Sequence, residues 1–156
     1  MRRATTVVSA GDWPLAAEVA EVTLAFDARH RRRFRMTDGR GEPFLLDLER
    51  PTLLNDGDGL VLDGNGIIRV RAAIEAVADV CGRTPADTAR LAWHIGNRHT
   101  PLQVLPDGVL RIRDDPVIVA MLEGLGGVVT RRRAPYSPEP GAYVRGENVR
   151  DHHHDP

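Results

Sequence analysis

A chain of 156 residues with a formal net charge of −1 is long enough for one ordinary domain or two small ones, and its near-neutral balance argues against a dedicated nucleic-acid binder. All 21 basic side chains are arginine, which excludes a P-loop lysine, Schiff-base chemistry and lysine-anchored pyridoxal phosphate. The single cysteine, Cys81, excludes an intrachain disulfide, a CxxC motif and a thiolate zinc knuckle, and the two serines, Ser9 and Ser137, lie in no G-x-S-x-G elbow. The longest apolar run, Val117–Leu122, falls far short of the roughly 20 residues of a membrane span. No apolar stretch follows Met1-Arg2-Arg3 as it would in a signal peptide. The expectation is a soluble, cytoplasmic protein.

In chain order, residues 1–72 read as a small β domain. Val22, Leu24 and Phe26 alternate with polar or small residues, the period of a half-buried strand. Asp38-Gly39 marks a turn between Arg33–Met36 and Phe44–Leu48. Further turn signals at Asp56-Gly57, Asp58-Gly59 and Asp63-Gly64-Asn65-Gly66 separate the short segments Gly59–Leu62 and Ile67–Val70. Frequent glycine turns between short strands point to a small sandwich or barrel-like unit.

Residues 73–145 change pattern. Ala73–Val80 suits a strand or a short helix. Thr84-Pro85-Ala86-Asp87 is a helix start: threonine caps, proline takes the first helical position, and Asp87 completes the box. Gly96 is the expected stop. Leu102–Val104 and Val109–Ile112 flank Pro106-Asp107-Gly108 as a hairpin. Asp115-Pro116 opens a second helix, expected to bury Ile118, Met121, Leu122 and Leu125 and to end at Gly126-Gly127 before a last strand, Val128–Arg131. The order β-α-β-β-α-β is the ferredoxin-like pattern, so the whole chain is predicted to be α+β. Two domains this small have thin cores, and a dimer interface would stabilise both. Residues 146–156 read as a disordered tail carrying His152, His153 and His154.

The chemistry centres on histidine. His94 and His99 are about 140° apart at helical spacing, so they do not form an i, i+4 chelating pair. His99 falls on the loop after the expected stop. By spacing alone, each is as well explained as a hydrogen-bonded structural residue. The tail triplet, flanked by Asp151 and Asp155, has the composition that binds borderline metals such as nickel, copper and zinc. The run Arg29-His30-Arg31-Arg32-Arg33-Phe34-Arg35 is read as a charged edge strand rather than a nucleic-acid surface, because one aromatic is thin for base stacking. Asp114-Asp115 is read as a helix cap rather than an acid–base pair.

Several separated segments resemble the UreE family of urease accessory proteins. The most specific are His94-Ile95-Gly96-Asn97-Arg98-His99-Thr100-Pro101-Leu102-Gln103 and Pro135-Tyr136-Ser137-Pro138-Glu139-Pro140-Gly141-Ala142-Tyr143. The helix Asp115–Gly126 lies between them. The N-terminal Asp27-x-Arg29, Arg33, Arg35, Asp38-Gly39 and Gly57-Asp58-x-Leu60 also fit, less specifically. The resemblance implies a non-enzymatic nickel metallochaperone that delivers Ni(2+) to apo-urease. It implies a peptide-binding-like β domain and a ferredoxin-like domain that forms a homodimer. It further implies that His99 binds metal at the two-fold axis, with His152, His153 and His154 adding ligands, and that Zn(2+) or Cu(2+) can take the same imidazoles in vitro. Partners implied are the accessory GTPase UreG and the apo-urease assembly complex, with no nucleic acid and no membrane. Where some relatives carry histidines before the second helix, this chain has Arg113-Asp114-Asp115, which leaves that accessory site without ligands. A general peptide-binding chaperone and an arginine-rich RNA binder are the alternative readings.

Overall fold

Alternation of apolar residues builds most of the first sheet. A computed structural model describes residues 1–141; the tail expected at 146–156, with His152, His153 and His154, lies outside the described residues. The chain divides into two compact units, Met1–Glu75 with Arg133–Ser137, and Ala76–Arg132 with the chain from Pro138.

The first unit contains β1 (Arg2–Val8), β2 (Glu18–Leu24), β3 (His30–Thr37), β4 (Pro43–Leu53), β5 (Gly59–Leu62) and β6 (Ile67–Ala72) in one six-stranded mixed sheet of order β2-β6-β5-β1-β4-β3. The turn at Asp38-Gly39 makes β3 and β4 an antiparallel pair, with Met36 opposite Phe44 and Phe34 opposite Leu46. The glycine turn at 63–66 does the same for β5 and β6. Strand β1 runs between the hairpins, parallel to β4 and antiparallel to β5. Ala4, Phe44, Leu46, Leu60 and Ile68 form a core with no solvent exposure, and burying each large side chain stabilises the unit by roughly 1.5–3 kcal/mol. The alternation read along the second strand holds for Val22, which is buried, and for Leu24, which packs partly buried against the same core, and it ends there. Phe26, expected in the strand, lies in a 3₁₀ turn at Phe26–Ala28, where its N–H donates to the Glu75 carboxylate at 2.9 Å.

Of the three buried charges in this unit, Arg29, Asp38 and Asp58, the first two tie distant segments together. Asp38 is enclosed and accepts from the Arg40 and Glu42 N–H groups and from Arg2 Nη2 at 2.8 Å. Burial alone would raise its carboxyl, but Arg2 and the two backbone donors outweigh burial and hold it below the usual carboxylate range. Arg29 is 2% exposed. It donates from Nη2 to the Tyr136 carbonyl and lies over the Phe26 ring at 5.8 Å, while Nε and Nη1 have no hydrogen-bond partner among the described residues. Burial pushes its guanidinium down from the ordinary range, opposed by the charges of Glu75 and Asp56.

The second unit is built on β7 (Ile74–Cys81), α1 (Pro85–Asn97), β8 (Gln103–Val104), β9 (Leu110–Arg113), α2 (Pro116–Gly124) and β10 (Val128–Pro135). The sheet order β10-β7-β9-β8 places the fourth strand of the unit beside the first, then the third, then the second, the split βαβ arrangement read from the sequence. The ambiguous segment after Ala73 is a strand, and the last strand runs on to Pro135. Both helix starts follow from their caps. Thr84 accepts from the Asp87 N–H at 3.1 Å, and Asp115 accepts from Val117 and Ile118; each cap is worth about 1 kcal/mol. Helix α1 buries Leu91 and Ile95; α2 buries Ile118, Val119 and Leu122. Leu125, expected in the core, is 47% exposed because α2 ends one residue earlier, and Met121 is half-buried at the rim. No helix among the described residues is long and apolar enough to cross a membrane.

On the other face of this sheet Arg111 grips Asp79 with two parallel bonds, Nε to Oδ1 at 2.7 Å and Nη2 to Oδ2 at 2.9 Å, both side chains being nearly enclosed. Arg132 approaches the same carboxylate at 3.5 Å from the more exposed side.

Removing Arg111 leaves the buried Asp79 carboxylate with the longer contact from Arg132, so Arg111→Ala is expected to destabilise the second unit by about 3 kcal/mol. Hydrogen exchange should speed up in β7 and β9 and remain slow in the six-stranded sheet. For the first unit the sign follows from the depressed Asp38 carboxyl: its stabilisation is present above the unfolded carboxylate range and is lost as pH falls through the lower folded value. Urea melts across an acidic pH series should therefore show a flatter acid loss in Asp38→Asn than in the unmodified chain.

Candidate metal centre

The end of α1 sets the geometry. Ile95 is fully buried and fixes the last turn to the core. The helix does not stop at Gly96, as the sequence suggested, but runs through Asn97, with Arg98 as the half-helical cap. The His99 N–H donates to the Gly96 carbonyl at 3.0 Å, and the Thr100 N–H donates to the Ile95 carbonyl at 3.3 Å. These are the two bonds of a Schellman closure, which requires a left-handed residue between them. Helix α2 ends the same way: Gly126 N–H donates to Glu123 and Gly127 N–H to Leu122, with Gly126 at φ +89°. In α1 the corresponding residue is His99, at φ +57°, the one non-glycine residue with positive φ among the described residues. A side chain in that conformation costs about 1–2 kcal/mol, and such outliers are kept where the side chain has a use.

His99 is exposed to solvent at this corner. His94 is half-buried and meets the Trp93 ring edge-on at 5.0 Å between centroids. The two imidazoles belong to different structures, one on the helix and one past its end. His30 is exposed on β3. Among the described residues no three His, Cys, Asp or Glu side chains converge into a set able to hold a metal. Asp115 is occupied in capping α2 and Asp114 accepts from Arg131 at 3.1 Å, so neither is poised for acid–base work. Strands β9 and β10 carry no aromatic side chain, which leaves an RNA-reading sheet without its stacking platform.

The two stretches that carry the sequence resemblance meet in the second unit. Just after His99 and Pro101, the Leu102 carbonyl accepts from the Glu139 N–H at 2.7 Å, and the Val104 N–H donates to Glu139 Oε2 at 3.1 Å. Strand β8 is an edge of its sheet, so the Pro-Glu segment occupies donors and acceptors that would otherwise be open. No local pattern announces this pairing, since 35 residues separate the partners. The left-handed His99 was missed because Gly96 looked like the stop. The local signal that marks it is Pro101 two residues on, a position favoured just after a helix end.

The chain can therefore present one exposed imidazole on a rigid corner, and a complete coordination shell requires ligands from beyond the described residues of one copy. Residues 3–73 match the family model of the UreE urease accessory protein N-terminal domain, and residues 75–156 match that of its C-terminal domain. The urease accessory protein UreE of Rhodopseudomonas palustris (strain HaA2) is 53% identical over 123 residues, covering 79% of this chain and 57% of that protein. That of Bradyrhizobium sp. (strain ORS 278) is 49% identical over 144 residues, covering 92% and 68%. That of Rhodobacter capsulatus is 45% identical over 156 residues, covering 100% and 95%. The chain thus spans little more than half of the first of these proteins and nearly all of the third. With both of its domains matched by the family models and relatives this similar along its length, the chain belongs to the UreE family of urease accessory proteins, which assist an enzyme and are not enzymes themselves.

Proposed function

We propose that this protein is a cytoplasmic nickel metallochaperone that works as a homodimer and delivers Ni(2+) to apo-urease, in a complex with the accessory GTPase UreG. The observation that carries the reading is His99, a left-handed histidine at a helix end where the companion helix uses glycine. Its backbone is fixed by two hydrogen bonds, so only the side-chain torsions remain to be ordered when the imidazole binds a metal. The described residues of one copy supply too few ligands, and a two-fold contact at this corner brings two His99 side chains together. Trp93, on the same helix and 64% exposed, supports such a contact, since a large exposed aromatic is suited to burial by a partner.

Two imidazoles leave coordination positions for His152, His153 and His154 or for water. An open shell of that kind favours hand-over above permanent storage. The same nitrogen ligands take Cu(2+) or Zn(2+) in vitro, and affinity order alone places copper above nickel. Preference for nickel in the cell then comes from supply and partners.

The test separates strain from ligation. In protein lacking Asp151–Pro156, His99→Gly should lose the tightest nickel site by calorimetry. It should also be as stable as the parent or more stable, by up to about 1 kcal/mol, because glycine adopts the positive φ without a clash. His99→Ala should lose the same site and gain no stability. Tight nickel binding that persists in both variants would place the site elsewhere. Removal of Asp151–Pro156 alone should lower nickel stoichiometry or affinity and leave a residual site; total loss of binding would assign the metal to the tail.

A further inference from the structure

The two outer edges of the six-stranded sheet are treated differently. On β2, one terminal strand, the acidic residues are neutralised in place: Glu18 pairs with Arg69 at 2.7 Å and Glu21 with Arg71 at 2.9 Å. On β3, the other terminal strand, the charges are of one sign and mostly unanswered. Among the described residues, Arg32 and Arg35 have no carboxylate within ion-pair distance, and Arg33 reaches only Asp47 at 3.5 Å, a carboxylate already held by Arg3 at 2.7 Å. Arg32, Arg33, Phe34 and Arg35 are all exposed, and in this stretch only Met36 turns inward. Phe34 is 44% exposed, with the Arg31 guanidinium 4.2 Å above its ring. A shallow concavity of about 770 Å³ over β1 and β4 reaches β3 at Arg32 and is lined by charges of both signs, Arg3 and Arg50 with Asp47 and Glu49.

Charge on an edge strand ordinarily blocks pairing with another chain. A block of one sign does so selectively. It repels basic strands and attracts acidic ones, because opposite charges directly across a strand pair stabilise it and like charges destabilise it. Among the described residues, strand β3 pairs only with β4, so alternate backbone groups along its outer side are open to an added strand. Phe34, on the face of β3 opposite Arg33 and Arg35, offers the alternate residues of that strand an apolar contact.

We infer that the outer edge of β3 is a docking surface for an extended acidic polypeptide segment, added as a further strand with carboxylates facing Arg33 and Arg35. This surface is built by the first unit alone and is independent of the metal reading.

The experiment uses the full chain and a fluorescent decapeptide alternating Glu and Val. Anisotropy should report binding that weakens with added salt. A Lys–Val decapeptide should not bind. Arg33→Glu with Arg35→Glu should weaken binding by at least about tenfold, since each attractive pair becomes a repulsive one. The charge-matched control, Arg83→Glu with Arg90→Glu in the second unit, should bind as the parent does, and so should His99→Gly. Hydrogen exchange at the β3 amides should slow when the peptide is bound. No binding of the Glu–Val peptide would mean that the arginines serve only to block the edge. Equal loss in the control variant, or unchanged β3 exchange, would reduce the effect to diffuse charge. Stronger binding of a single-stranded RNA decamer than of the peptide would overturn the proposal in favour of nucleic acid.

Discussion

The carbonyl of Ile95 is the point on which the candidate site depends. It belongs to a side chain without solvent exposure, so the core fixes its position. It accepts from both Arg98 and Thr100, at 3.1 and 3.3 Å. Closing the helix on this group forces the intervening residue into the left-handed region. Burial of one isoleucine thereby determines where an exposed imidazole stands. The chain that leaves this corner then becomes β8, whose outer edge is occupied by Glu139. Core packing, helix closure and edge pairing act in sequence to hold His99 on a rigid frame.

The same logic runs through the rest of the molecule. Polar groups taken from water are matched where they matter for position. Asp38 holds the β3–β4 turn and the start of β1, and Asp79 with Arg111 ties two strands of the second sheet. A chain without lysine relies on the planar guanidinium for every such pair. That suits bidentate contacts and tolerates burial better than a compact ammonium would. Surface arginines are used in two ways, neutralised along β2 and β6 and left open along β3.

Much of this was legible in the amino-acid order because local chemistry governs it. Thr84-Pro85 and Asp115-Pro116 state their helix starts directly, and Asp38-Gly39 states its hairpin. The β-α-β-β-α-β order follows from the alternation of such signals. Features decided by distant partners were not legible. Phe26 leaves its strand because Glu75, far along the chain, accepts from its N–H. The Glu139 latch on β8 and the Tyr136 carbonyl on Arg29 join segments that no periodicity connects. For the site, the residue was legible through a family motif, while its left-handed backbone was hidden behind Gly96, a glycine that sits inside the helix instead of ending it.

Arg29 carries a consequence for where the chain can be divided. Its guanidinium is buried in the first unit, and the hydrogen bond it makes there reaches the Tyr136 carbonyl, supplied by the short segment Arg133–Ser137. A fragment ending near Glu75 would hold every strand of the six-stranded sheet, yet it would expose a cationic socket meant to be stoppered from the far end of the sequence. The linear domain and the physical one are therefore different objects. The first is a stretch of sequence; the second is completed only after residues 133–137 have been synthesised, so an emerging chain holds its first unit unfinished until that segment is made.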